Sequence, residues 1–265
     1  REGRVGYSSV PALMTMSLWA GARVHLTVVD PGTSALAGNV GLHVGDQTEL
    51  VRARRAALAD VLGRDIVWMN QTHSTVVEVI TSVEGVPTAA STARALDHRA
   101  PGQWGPVEAD GIIIDARGWE EAPALAVLTA DCLPVVFSAA GGRVVAAVHA
   151  GRRGLLGGIL MRTVDLIRAR VDGSIDALIG PAICGSCYEV PSDMVRQSEE
   201  IMPGIGSQTS WGTPSLDLPR AAASQLRERG VRVVSDSRCT LETPTLFSYR
   251  RDRECGRQAL VIAPA

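Results

Sequence analysis

Three short stretches carry the residue types best suited to chemistry: Asn70-Gln71-Thr72-His73, Thr129-Ala130-Asp131-Cys132 and His149-Ala150-Gly151-Arg152-Arg153-Gly154. Together they offer two imidazoles and one thiol. Zinc takes histidine nitrogen and cysteine sulfur; three protein ligands leave a fourth position for water or substrate, whereas structural zinc is closed by four ligands in close-spaced pairs. The wide spacing of His73, Cys132 and His149 therefore favours a catalytic metal site over a zinc finger. The same donor set also suits a single copper, which outcompetes zinc by affinity. A metal-free use is open as well, with Cys132 as nucleophile and His149 as base in a cysteine hydrolase or amidase. The plainest alternative is three unrelated residues, since cysteine is often simply buried.

Short apolar runs must position these groups. Residues 124–128 and 144–148 are bounded by breakers and read as buried strands, so Cys132 and His149 sit just past strand ends. Residues 24–29, 66–69, 76–80, 111–115, 135–137, 175–179, 231–234 and 258–262 read as further strands, which leaves His73 on a turn or strand edge. Asp46 caps an apolar-periodic helix through Leu50, Leu58 and Leu62 that stops at Gly63. Residues 154–170 and 217–229 carry apolar side chains at helical spacing. Residues 82–107, rich in Ala, Thr, Gly and Pro, read as a mobile surface loop able to cover a site. The class is α+β, with more strands than a simple doubly wound parallel sheet would give.

Around the trio, the Gly151-Arg152-Arg153-Gly154 turn joins a strand to a helix. Free backbone N–H groups there favour an anion, and Arg153 would add a bidentate grip on phosphate. A tight connection with solvated arginines is the alternative. Arg55, on the first helix, reads by itself as a surface charge. Asp110 and Asp131 flank strands, where a carboxylate orients a ligand histidine, accepts a substrate proton or caps a turn. Cys184 and Cys187 form a Cys-x-x-Cys, but no second such pair completes it, so no metal is expected there. Glu189 reads as structural, and residues 247–252 as a polar strand edge.

With 265 residues and 46% hydrophobic content, the chain can bury a large core. A formal charge of -2 and a pI near 6.2 give no basic footprint for nucleic acid. The apolar stretch 10–22 is short and broken by Pro11, unlike a signal peptide or membrane span. Five dispersed cysteines fit a reducing cytoplasm better than a disulfide framework. Small-molecule work by a cytoplasmic protein, expected to be a monomer, is the default these observations leave.

Ordered blocks from about residue 24 to 261 add a family signature: Gly41-Leu42-His43-Val44-Gly45-Asp46, Asn70-Gln71-Thr72-His73, Ala109-Asp110-Gly111, Leu128-Thr129-Ala130-Asp131-Cys132-Leu133-Pro134, His149-Ala150-Gly151, Tyr188-Glu189-Val190, Phe247-Ser248-Tyr249-Arg250-Arg251-Asp252 and Gly256-Arg257. The chain resembles the laccase-domain or polyphenol-oxidase-like family of zinc-dependent purine nucleoside phosphorylases. The resemblance implies that His73, Cys132 and His149 hold Zn2+, and that Arg55 and Arg153 line a pocket for purine nucleoside and inorganic phosphate. It implies phosphorolysis of adenosine, inosine, guanosine and methylthioadenosine, with adenosine deamination beside it. Two similar α+β halves in an α/β/β/α arrangement, similar to deamidating-toxin catalytic domains, are the implied fold; residues 23–265 then form a single domain behind an N-terminal extension, 1–22. The laccase label does not suit the chemistry, because five histidines are too few for a multicopper oxidase. Arg152 stands where the family usually has Trp and Arg54 where it usually has Asn, which implies a more positive pocket. Ser74 replaces a common Gly.

Overall fold

The computed structural model describes residues 12–17, 21–29 and 34–265. Apart from residues 12–17 and 21–22, the expected N-terminal extension lies outside the described residues. The chain runs through β1 (Ala12–Ser17), β2 (Arg23–Val28), helix α1 (Thr48–Leu62), β3 (Ile66–Asn70), β4 (Val77–Val83), β5 (Val86–Ala89), β6 (Arg94–Ala95), β7 (Gln103–Glu108) and β8 (Gly111–Asp115). Next come β9 (Ala124–Thr129), β10 (Leu133–Ala139), β11 (Val144–Ala150), helices α2 (Arg152–Leu156) and α3 (Ile159–Arg168), and β12 (Ile175–Ile179). The last part holds α4 (Ser192–Ile201), β13 (Gly206–Gln208), β14 (Pro214–Leu216), α5 (Leu218–Glu228), β15 (Arg232–Ser235) and β16 (Gln258–Ala263).

Two large mixed sheets result. A six-stranded sheet has the order β1-β2-β16-β9-β3-β7, and an eight-stranded sheet the order β15-β12-β10-β11-β8-β4-β5-β6. β3 lies parallel to β7 and β9, β4 to β8, and β12 to β15. Side chains alternate across each strand. β11 accordingly sends Val144, Ala146 and Val148 to one face, where they pack with Leu155, Ile159, Val164 and Ile167 of α2 and α3. Val145 and Ala147 face the other way and meet Val67, Leu125, Val127 and Leu260 of the six-stranded sheet. The outer face of that second sheet, with Ile66, Trp68, Ala126 and Val261, takes Leu58 and Leu62 of α1. The layers thus run helix, sheet, sheet, helix. β9, β10 and β11 are buried at every residue, because both faces of each strand are covered.

Several expectations need correction. Gln47, not Asp46, is the N-cap of α1. The Asp46 carboxylate is drawn instead to Arg54, whose Nη1 donates to Oδ2 at 2.7 Å. Gly63 does end the helix, in the left-handed conformation at φ 64°. Residues 82–107 are not one long loop, for they supply β5, β6 and β7 to the two sheets. Alternating burial along Gln103–Glu108 is the strand signal that its Gly and Pro content masks. The helix expected over 154–170 is two helices, parted at Gly157 and Gly158. Residues 247–252 form turns rather than a strand edge, and α4 was not anticipated.

Candidate metal centre

The register of β8 and β11 places Gly111 opposite Val148. One step beyond, Asp110 faces His149, and the His149 backbone N–H donates to the Asp110 carbonyl at 2.7 Å. Their side chains meet as well, with His149 Nδ1 and Asp110 Oδ1 2.7 Å apart. Asp110 is completely buried. Its carboxylate also accepts from the backbone N–H groups of Thr72, His73 and Ser74 at 3.1, 3.0 and 2.8 Å, and from Ser74 Oγ at 2.6 Å. One carboxylate therefore orients His149 and clamps the loop carrying His73, whose backbone is held in the left-handed region at φ 62°. Burial pushes the Asp110 carboxyl up, but the bonds from His149 and Ser74 outweigh it and hold the group well below the usual carboxylate range.

Cys132 lies in the turn from β9 to β10, and Asp131 shapes that turn. Asp131 Oδ1 accepts from Thr240 Oγ1 at 2.6 Å and Oδ2 from the Arg250 N–H at 2.7 Å, while its carbonyl accepts from the Ile183 N–H at 3.0 Å. With both oxygens engaged, Asp131 caps and braces the turn. Cys132 Sγ sits 3.7 Å from His73 Nε2, and the two imidazoles meet edge-on with centroids 4.8 Å apart. One ligand atom from each of His73, Cys132 and His149 lies within 4.8 Å of the others. Bonds of about 2.0–2.3 Å to a tetrahedral zinc place ligand atoms roughly 3.3–3.8 Å apart, so a small inward movement suffices. Asp110 on Nδ1 leaves Nε2 of His149 as the ligating nitrogen, a carboxylate-histidine pairing that fixes the ring and raises its basicity. The donors fit a three-ligand zinc site. Burial pushes the Cys132 thiol up, but His149 and His73 reverse this and bring it down to about 6. For His149 burial acts downward, and Asp110 and Cys132 carry it up to about 9.

The glycines after His149 serve close packing. A Cβ on Gly151 would stand 2.7 Å from His73 Cδ2 and 3.3 Å from Cys132 Sγ. On Gly154 it would stand 3.1 Å from the Ser74 carbonyl, and on Gly157 2.5 Å from Thr75 Cγ2. The expected anion-binding turn is thus a helix of five residues whose glycine face lies on the His73 loop. Arg153 is exposed on it and is not among the residues lining the cavity over the trio.

That cavity, of about 590 Å³, has His73, Cys132 and His149 in its wall together with Tyr188, Tyr249, Arg250 and Arg257. The Arg250 guanidinium lies 5.0 Å over the Tyr188 ring and donates to the Glu189 carbonyl at 2.8 Å. Glu189 is structural as expected, accepting from Thr213 Oγ1 at 2.7 Å. His43 and Leu128 are shared with an adjoining cavity of about 190 Å³, and Arg55 lines that one. Arg55 is buried rather than a surface charge: Nε donates to the Val40 carbonyl at 2.8 Å and the guanidinium stacks 3.9 Å over Trp68. Burial, then the charge of Arg52, lowers its pKa to about 9. Arg54 adds no charge to either cavity. It is buried against Asp46 and the Asn39 carbonyl. Sequence reasoning missed Tyr188, Tyr249, Arg250 and Arg257 as site residues, although all four stand in or beside the ordered blocks; only long-range packing joins them to the trio.

Fold and donors together define a mixed α+β protein with a three-donor candidate metal centre at one end of two packed sheets. Residues 30–265 match the family described as multi-copper polyphenol oxidoreductase laccase, and the chain belongs to that family. A relative from Mycobacterium tuberculosis strain H37Rv, named purine nucleoside phosphorylase, is 39% identical over 231 residues, covering 84% of this chain and 83% of its own. One of the same name from Streptomyces griseus is 40% identical over 227 residues, covering 83% and 84%. Among crystal structures, Neisseria meningitidis protein NMB0706 superposes with a TM-score of 0.76 at 34% identity, over 95% of this chain and 98% of that one. YlmD from Geobacillus stearothermophilus gives 0.74 at 32% identity, over 93% of each.

Proposed function

We propose that this protein is a zinc-dependent purine nucleoside phosphorylase working at His73, Cys132 and His149. The observation that carries the reading is the convergence of these donors on a cavity whose other walls bring two tyrosines and two arginines; relatives named for that activity support it. The substrates are adenosine, inosine, guanosine and methylthioadenosine, with inorganic phosphate. Adenosine deamination is a side activity of the same site. Residues 23–265, with Ala12–Ser17 as an added edge strand of their six-stranded sheet, act as one catalytic domain of two similar halves, like the deamidating-toxin domains, in a cytoplasmic monomer.

In phosphorolysis a phosphate oxygen bonds to C1′ of the ribose as the bond from C1′ to the purine nitrogen breaks, and that electron pair leaves with the base. Bound by His73, Cys132 and His149, zinc would supply Lewis acidity at the cavity wall, and copper is the alternative occupant. Arg250 and Arg257 hold the phosphate by charge-assisted hydrogen bonds, and Tyr188 and Tyr249 give the flat base and sugar surfaces to pack on. Asp110 keeps His149 and the His73 loop in place, so the chain contributes mostly positioning and electrostatics. Arg55 supports the nucleoside from the adjoining cavity. Arg153, outside the lining, retains only long-range steering of anions.

A second reading rests on one observation: Asp110, His149 and Cys132 also stand in the order of acid, base and nucleophile, with a thiol brought down to about 6 beside an imidazole raised to about 9. Such a cysteine hydrolase would survive chelation and die on alkylation of Cys132. The phosphorylase reading expects free base and ribose 1-phosphate from adenosine, inosine and guanosine, and adenine with methylthioribose 1-phosphate from methylthioadenosine, all lost on metal removal and regained with zinc. Product formation that persists in a strong chelator would sink it.

A further inference from the structure

A second cluster of donors lies outside the cavity. Cys184, Cys187, Cys239 and Glu242 each bring one ligand atom within 4.8 Å of the others. The sequence pattern behind it is two pairs of the same spacing, Cys184-x-x-Cys187 and Cys239-x-x-Glu242. A search for a second Cys-x-x-Cys overlooks the latter because a carboxylate fills its last place. We propose that these four residues form a second, structural metal site of the zinc type, closed by three thiolates and one carboxylate.

Its form is that of a structural site, with four protein ligands in two close-spaced pairs and no open position. A tetrahedral zinc holds its sulfurs about 3.8 Å apart, inside the observed spread. Thiolate-rich sites select zinc over harder cations. Cys187 and Cys239 are buried, Cys184 is half-buried and Glu242 is exposed, so the metal would be shielded by sulfur and reached from the carboxylate side. The Cys184 backbone N–H points at Cys239 Sγ at 3.4 Å, an arrangement that stabilises a thiolate. Ordinary burial of cysteines as small apolar groups would not require three sulfurs and a carboxylate to converge.

The cluster also ties together two segments that brace the first site. Ala182 and Cys239 form a parallel bridge. On one side, Ile183 donates to the Asp131 carbonyl and Tyr188 enters the cavity wall directly after Cys187. On the other, Thr240 donates to the Asp131 carboxylate. Metal on the four donors would staple 184–187 to 239–242 and so hold Asp131, the neighbour of Cys132. Binding would displace the protons of the thiols into solvent.

The test uses the full chain, made metal-free, reloaded with zinc and desalted, with metal counted by mass spectrometry. Two equivalents are expected in the wild type and one each in Cys132→Ser and in the double variant Cys184→Ser, Cys187→Ser. The Cys132→Ser protein decides the matter even if the double variant fails to fold. Loaded with cobalt(II) alone, it should show the intense near-ultraviolet thiolate charge transfer and the visible bands of a tetrahedral site. A folded Cys132→Ser protein that keeps no metal and shows no such absorption would overturn the proposal.

Discussion

At the residue scale, the trio depends on groups that never touch a substrate. Asp110 makes five hydrogen bonds that reach both the His149 ring and the His73 loop. Losing a partner that orients a metal ligand costs typically 10–100-fold in metal affinity. Asp110→Asn should therefore weaken zinc binding by about that factor in a chelator competition; an unchanged affinity would show that the clamp does not matter to the site. Cys132→Ala should lose metal from the trio and all phosphorolysis, since two imidazoles hold zinc poorly. Full occupancy of the trio in that variant would refute the ligand assignment. The Ser74 hydroxyl adds one of the five bonds, which a glycine at this place would lack, and so strengthens the clamp without altering the pocket charge. The reactive residue types and their strand-end placement were legible in the sequence, as was a carboxylate role in orienting histidine. The clamp on the His73 loop was not, because it joins positions 36 to 38 apart through hydrogen bonds that no local pattern encodes.

At the scale of elements, strands buried on both faces announce themselves as apolar runs, which is why β9, β11 and β12 were readable from the sequence alone. β5 and β7 were hidden by Gly and Pro and β6 by its length of two residues; β6 and β7 are edge strands of their sheets. α2 and α3 looked like one helix because apolar spacing cannot reveal the demand for bare backbone against the His73 loop. That demand is testable. The methyl group of Gly151→Ala would press on the His73 imidazole, so the variant should lose metal affinity while keeping its fold by circular dichroism. Retained affinity would mean that the loop yields freely. Just before α1, Asp46 pairs with the buried Arg54, and because Asp46 itself is only partly buried, removing one partner should cost less than the roughly 3–5 kcal/mol of a fully buried pair. Burial pushes the Asp46 carboxyl up, but bonds from Asn39 and Arg54 win and lower it. A carboxylate lowered in the folded state contributes stability above its unfolded pKa, near 3.9, and loses it as pH falls through the folded value. Asp46→Asn should thus lower the melting temperature at neutral pH and lessen its fall below about pH 4. Parallel melting profiles for the two proteins would contradict this.

For the whole molecule, two sheets back to back place the ends of β8 and β11 and the turns after β3 and β9 at one end of the stack. The last turns of the chain, with Tyr249, Arg250 and Arg257, then close over the same cavity. Composition and hydropathy indicated a mixed fold and a small-molecule partner; they gave no hint that residues near position 250 would face His73. If Arg250 and Arg257 hold phosphate, replacing each with Ala should raise the KM for phosphate well above that of wild type, with a smaller change for adenosine. Arg153→Ala should do neither. The most direct measurement is the rate of adenine release from adenosine as phosphate is raised from zero, with zinc-loaded and chelator-treated protein side by side. We expect a saturating curve through zero at no phosphate, with ribose 1-phosphate formed in equal amount, and a flat line without metal. Adenine release independent of phosphate or unaffected by chelation, or no release at all, would contradict the assignment of phosphorolysis to this centre.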